Sequence, residues 1–170
     1  MKTQQINLYE FEELSEEAKV KALDNHNENN DYDFLSDDLT EYLSQLLEEN
    51  GIKGEAKLFY SLGYCQGDGV CFEGNFEFKG VNISVKHSGN YYHSNSVNIE
   101  ADFEDNGDEL KNDLIEAVEN DFKIVFKEIC DKIEKTGYSQ IEYENSEEAF
   151  KELCEANEYT FEANGEMRNF

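Results

Sequence analysis

An α+β fold is predicted by three features of the 170-residue sequence. Hydrophobic residues recur at three- and four-residue spacing before position 51 and after position 106. Between Ala56 and Phe103 the spacing falls to two. The two patterns do not alternate, so the strands are grouped rather than interleaved with helices. The expected architecture is an antiparallel sheet of about four strands (55–104). N-terminal helices (15–50) and a long helix (107–136) pack on it, followed by a C-terminal helix and a short hairpin. The whole chain, 1–170, reads as a single α+β domain.

Residues 1–14 alternate weakly through Ile6, Leu8, Tyr9, Phe11 and Leu14, as a short extended arm would. Ser15 has the form of a helix N-cap. Glu16 and Glu17 follow it in the first turn, where the helix dipole favours acids. This first helix is expected to end near Asn25, and the Asn-rich stretch to Asp33 reads as a loop. Leu39, Tyr42, Leu43, Leu46 and Leu47 give the second helix a core-facing stripe, with Ser36 as its cap and Gly51 as its stop.

Four strands follow. Leu58, Tyr60 and Leu62 alternate with Lys57, Phe59 and Ser61. Phe72, Phe76 and Phe78 mark the second strand, with Gly74 as a bulge; Val81, Ile83 and Val85 mark the third; Val97, Ile99, Ala101 and Phe103 mark the fourth. Lys86 to Asn95 reads as a mobile loop. Asn106-Gly107 opens the longest helix, whose stripe is Leu110, Leu114, Val118, Phe122, Val125, Phe126, Ile129 and Ile133, and Gly137 closes it. Ser146 caps a last helix with Ala149, Phe150, Leu153 and Cys154 facing inward. Asn164-Gly165 forms the turn of a terminal hairpin.

Charge restricts the function classes. Forty acids stand against 14 Lys and Arg, a formal charge of −26. Direct nucleic-acid binding needs a basic footprint and is not expected. Anionic lipid would be repelled, no apolar run approaches the ~18 residues of a membrane span, and no hydrophobic signal core follows Met1. A cytoplasmic protein with free thiols at Cys65, Cys71, Cys130 and Cys154 is expected.

The acids are uneven. Residues 1–50 hold 14 acids and 3 bases. Glu10, Glu12, Glu13, Glu16 and Glu17 form one cluster; Asp31, Asp33, Asp37, Asp38 and Glu41 form a second. Acids three and four apart on a helix stand ~5–6 Å from one another. Duplex DNA carries one phosphate per ~1.7 Å of axis. Carboxylate rows can therefore imitate a nucleic-acid backbone and enter a basic cleft. The same rows also serve solubility.

Gln66-Gly67-Asp68-Gly69 lies between two strand patterns and reads as a hairpin loop of three residues centred on Asp68, its glycines supplying positive φ. In that register Cys65 stands opposite Cys71, and Asp68 is at an exposed tip. Residues 102–113 partly imitate a calcium loop. Glu109 at the eighth position and Asp113 at the twelfth break that pattern, so no metal is assigned. His26, His87 and His93 have no metal-ligand spacing. Neither a nucleophile elbow nor a triad signature is present, so no catalytic residue, cofactor or enzymatic activity is expected.

Three segments carry a resemblance. They are Phe11-Glu-Glu-Leu-Ser-Glu-Glu-Ala-Lys-Val-Lys-Ala22, the turn from Tyr60 to Phe72 around Gln66-Gly-Asp-Gly69, and Ser146-Glu-Glu-Ala with Asn157-Glu-Tyr-Thr-Phe-Glu-Ala-Asn-Gly165. Together they resemble a family of small acidic phage and prophage proteins with a central Q-G-D-G-x-x-F signature, some labelled antitoxin-like. The resemblance implies no catalytic residues and directs attention to interference with a host system. The expected function is that of a phage-encoded, non-enzymatic inhibitor of the anti-CRISPR or anti-restriction type. Its partner would be a host nucleic-acid-binding protein with a basic cleft. The alternative is an antitoxin-like or regulatory module that binds through a sheet edge or the Tyr91-Tyr92 loop, with acidity serving solubility alone.

Overall fold

The computed structural model describes residues 6–102 and 109–168. Strands β1 (Ala56–Ser61), β2 (Gly69–Phe78), β3 (Val81–His87) and β4 (Val97–Ala101) form one antiparallel meander in the order β1-β2-β3-β4. The fold class is α+β, as the grouping of periodicities predicts. Two compact units divide the chain: residues 34–138, which hold this sheet, and residues 6–33 with 139–168.

In the sheet-bearing unit, alternation sends Val70, Phe72, Phe76, Phe78, Ile83 and Val85 into the core. Helix α2 (Leu35–Glu49) contributes Leu39, Leu43, Leu46 and Leu47. Helix α3 (Glu109–Glu144) contributes Phe122, Phe126, Ile129 and Ile133. Aromatic rings join the layers: Phe72 and Phe126 lie 4.3 Å apart by centroid, and Phe78 meets Phe122 edge-on at 5.5 Å. The far side of the sheet carries the ion pairs Lys57–Glu73 at 3.8 Å and Lys53–Glu77 at 3.0 Å toward one end and buried Cys71 beside Phe59 toward the other.

Several sequence expectations change at this level. Helix α2 begins at Leu35 behind Phe34, which offers no side-chain cap, and Ser36 lies inside the first turn. Buried Leu35 fixes the start instead of a hydroxyl. Gly74 is no bulge, because its register is regular toward both Ala56 and Val85. A Cβ there would run into the Glu55 carbonyl and the Phe76 ring, so glycine is required by close approach. The α3 stripe is offset: Ile115 is buried and Leu114 is 64% exposed. The side chain of Leu110 and the Asn106-Gly107 opening lie outside the described residues.

Gly137 does not end α3, which continues to Glu144. A Cβ on Gly137 would meet the side chains of Leu62 and Leu39. The glycine therefore makes room for Leu62 and Leu39 inside the helix and is not a stop signal.

The second unit is built from α1 (Glu16–Asn27), the end of α3, α4 (Glu147–Ala156) and a hairpin of β5 (Thr160–Phe161) and β6 (Met167–Arg168). Ser15 and Ser146 cap α1 and α4 by accepting from the amides of Ala18 and Ala149. Helix α1 continues two residues beyond the expected end. In α4, Phe150 and Cys154 are buried and Leu153 is 36% exposed. The N-terminal arm does not stay extended. Tyr9 bridges Phe161 through two 2.9 Å backbone hydrogen bonds, and a 3-10 turn, Phe11–Glu13, follows. Phe11, Leu14, Ala18, Ala22, Phe150, Cys154 and Phe161 form this unit's core. His26 stacks on Phe150 at 4.6 Å, and burial lowers its pKa.

The expected Asn164-Gly165 turn is present, with Gly165 at φ +81. A Cβ on Gly165 would collide with the backbone carbonyl of Ala18, which cannot move without bending α1. Gly165→Ala is therefore expected to destabilise this unit by about 2 kcal/mol. The check is a lower urea midpoint at unchanged slope. No helix among the described residues is long and apolar enough to cross a membrane.

Candidate functional site

The segment that carries the central signature is built around Asp68. The Ser61–Gly69 pair closes the β1–β2 ladder, so the connection runs from Leu62 to Asp68 and is longer than a three-residue turn. Cys71 accordingly pairs with Phe59, not with Cys65. All four cysteines are free thiols; Cys71, Cys130 and Cys154 are buried. Burial pushes the Cys71 and Cys154 thiols up to about 11.

Asp68 is not at an exposed tip. It is 8% exposed, and its carboxylate collects four hydrogen bonds. The Tyr138 hydroxyl donates at 2.6 Å, the Cys65 amide at 2.9 Å, the Ser61 hydroxyl at 3.1 Å and the Cys65 thiol at 3.2 Å. The Tyr138 hydrogen bond, against the opposing effect of burial, holds the Asp68 carboxyl well below the usual carboxylate range. Burial, followed by the same hydrogen bond, raises the Tyr138 hydroxyl above the ordinary phenol. A carboxylate so fully supplied with donors latches the β1–β2 connection to α3.

The two signature glycines answer to a different constraint from the expected one. Neither Gly67 nor Gly69 has positive φ. A Cβ on Gly67 would stand 3.2 Å from the Tyr91 ring, and one on Gly69 would stand 2.7 Å from His93 Nδ1. The glycines admit the β3–β4 loop, 88–96, onto the backbone. That loop is itself tied: the Ser88 amide donates to the Ser96 carbonyl at 2.7 Å, and His87 Nε2 lies 3.0 Å from the Tyr91 carbonyl oxygen. Phe59, expected on the polar face, is half-buried because His87 and Tyr92 stack on it at 5.3 and 5.6 Å. Gln66 is exposed beside this assembly. Tyr64, in the left-handed region at φ 56, packs on Tyr138 at 4.8 Å.

Compared with known proteins, the chain matches no family model, no curated protein and no solved structure. The reading of the site therefore rests on its own residues.

The first acidic cluster lies in the helical unit and is only partly available. Glu10, Glu12, Glu13, Glu16 and Glu17 are all exposed. Glu12, however, pairs with Lys151 and, at 3.5 Å, with Lys19, and the Lys151 hydrogen bond lowers its pKa. The Glu13 carboxylate accepts from the Glu10 amide at 3.0 Å, and Glu16 lies 3.7 Å from Lys19. Reversing Glu12 or Glu13 would thus disturb local structure as well as surface charge.

The second cluster divides between units. Asp31 and Asp33 belong to the helical unit, and Asp37, Asp38 and Glu41 to the sheet-bearing one; all are exposed. Of the calcium-like stretch, 103–108 lie outside the described residues. Among the described residues no group of three or more His, Cys, Asp or Glu is placed to hold a metal ion.

Sequence reasoning missed Tyr138, Ser61, Tyr91 and His93 as partners of the signature. Tyr138 stands 70 positions from Asp68, beyond a glycine that looked like a helix end. No local pattern reports that pairing.

Proposed function

We propose that this protein is a non-enzymatic inhibitor of the anti-restriction or anti-CRISPR type. It occupies the basic cleft of a nucleic-acid-binding defence protein by presenting carboxylates in place of phosphates. Helix α2 carries the reading. From Phe34 to Gly51 there is no Lys or Arg, and Asp37, Asp38, Glu41, Glu48 and Glu49 are all exposed. These five span about 18 Å of helix at the standard rise. One DNA strand places a phosphate every ~3.4 Å, roughly five over the same length. The linear charge density of α2 is that of a nucleic-acid strand.

Helix stability accounts for Asp37 and Asp38 in the first turn of α2, but not for the acids at the helix C-termini. Glu48 and Glu49 lie in the last turn of α2, Glu142 and Glu144 in that of α3, and Glu155 in that of α4, with no basic residue in any of those turns. Acids at helix C-termini oppose the dipole and each cost about 0.3–1 kcal/mol. The resemblance to small acidic phage proteins gives the reading its host-defence direction.

Glu48→Lys with Glu49→Lys is the discriminating variant. It is expected to stabilise α2 by about 0.3–1 kcal/mol per site and, in the same protein, to weaken partner capture. Tagged protein would be incubated with bacterial lysate at low and high salt, and bound proteins identified by mass spectrometry. Nucleic-acid-binding proteins released by salt or by competing DNA, and captured less by the variant, support charge mimicry. Capture that ignores both salt and the substitutions removes it.

A second reading, a regulatory binding module, is favoured by Tyr91, which is 58% exposed on a tied loop. Its binding would be nearly independent of salt and would fail on Tyr91→Ala.

A further inference from the structure

A cavity of about 420 Å³ opens where the β3–β4 loop meets the middle of α3. Asp131 and Glu134, one helical turn apart, line one wall; Ser94 and Ser96 line the other; Val70 and Cys130 are apolar lining residues. At that spacing the two side chains leave the same side of the helix, with Cβ atoms ~5–6 Å apart. Neither forms an ion pair among the described residues, although Lys127 and Lys135 stand four positions to either side of Asp131. The lining therefore offers acceptors in excess of donors, beside an apolar surface.

The neighbourhood is fixed by the signature. Asp68 latches the β1–β2 connection, and Gly67 and Gly69 seat the β3–β4 loop. His93 of that loop also lines the cavity. Its ring is 6.0 Å from that of Tyr91, a residue of the same loop that is 58% exposed.

We infer that this cavity is an anchoring site for an arginine side chain of the basic partner, an inference that rests on the charge-mimic reading and names the group it grips. A guanidinium is planar and carries five donors, enough to fork onto two carboxylates and reach a loop hydroxyl. Its methylenes lie along the apolar part of the lining, and a guanidinium face stacks on an aromatic ring such as that of His93 or the neighbouring Tyr91. An ammonium is a more strongly hydrated point charge without that fork. Lys127 and Lys135 lower the bulk field around the cavity, so selectivity comes from fork geometry rather than from net charge. The Q-G-D-G signature acquires a role: it holds the receiving loop in place without touching the ligand.

The test needs no partner protein. The full-length ¹⁵N-labelled chain is titrated with N-acetyl-arginine methylamide and, in parallel, N-acetyl-lysine methylamide at about 0.15 M salt. Saturable amide shifts centred on Ser94, Asn95, Ser96 and Glu134 are expected with the arginine probe. The lysine probe should bind several-fold more weakly. Asp131→Asn with Glu134→Gln should weaken arginine binding about tenfold while leaving the melting curve intact. Tyr91→Ala, which spares both carboxylates, should weaken it by a smaller factor. Equal shifts from both probes spread along α2 would overturn the site, as would shifts that survive the double substitution. That failure would leave salt-dependent capture of nucleic-acid-binding proteins standing, whereas a saturable arginine site without such capture would retire the inhibitor reading.

Discussion

Asp68→Asn is expected to lower the melting temperature of the sheet-bearing unit by roughly 5–10 °C. The carboxylate oxygens divide four donors between them: Tyr138 Oη and the Cys65 amide on Oδ2, Ser61 Oγ and Cys65 Sγ on Oδ1. Whichever oxygen becomes an amide nitrogen, two donors lose their acceptor, and a donor then faces donors. The effect has a pH signature. Asp68 has a folded-state pKa below its unfolded value of ~3.9, so the charge contributes stability in full above about pH 5. That contribution is lost as pH falls below about 4 toward the folded-state value. The gap in melting temperature between wild type and variant should therefore be constant from about pH 5 to 8 and narrow in acid. A gap that stays constant to pH 3 would show that the charge is not what holds the loop. Tyr138→Phe removes one donor and leaves the carboxylate three, so a smaller loss of about 1–2 kcal/mol is expected.

Phe122→Ala is expected to cost about 3–5 kcal/mol, a large share of the ~5–15 kcal/mol typical of a domain. Phe122 is fully buried and its ring meets those of Phe76, Phe78 and Phe126 at 6.0, 5.5 and 6.3 Å. Strand β2, through Phe76 and Phe78, and the next turn of α3 close around it, so the resulting cavity cannot collapse without moving the sheet. Urea unfolding followed by circular dichroism would read the change as a shifted midpoint. Leu114→Ala, on the same helix but 64% exposed, should stay within about 0.5 kcal/mol. Comparable losses at the two positions would contradict the observed offset of the α3 stripe.

Phe122, Phe126, Ile129 and Ile133 were legible in the sequence because a buried helical face repeats at 3.6 residues. The strands were legible for the same reason, at a period of two. The caps at Ser15 and Ser146 were legible because a cap is a contact between residues three apart. Glycines misled in three places. Gly74, Gly137 and the Gly67–Gly69 pair were read as a bulge, a helix stop and a source of positive φ. Each is instead a point where a side chain or carbonyl from elsewhere approaches closely, most tightly at Gly74, Gly137 and Gly69. A sequence marks a glycine but not which of its two uses, conformational freedom or lack of bulk, is in play.

The sequence by itself determined the type and order of the main helices and strands, the α+β grouping and the acidity, since periodicity and charge are local or additive properties of the chain; where α3 ends and what starts α2 were decided by packing. The tertiary structure alone decided what the signature does. The Asp68–Tyr138 hydrogen bond closes 70 positions of chain. The seating of Tyr91 and His93 on Gly67 and Gly69 depends on register across the sheet. The extent to which Glu12 is neutralised depends on Lys151, 139 positions away. Such pairings arise from chain closure and packing, and no short window of residues encodes them.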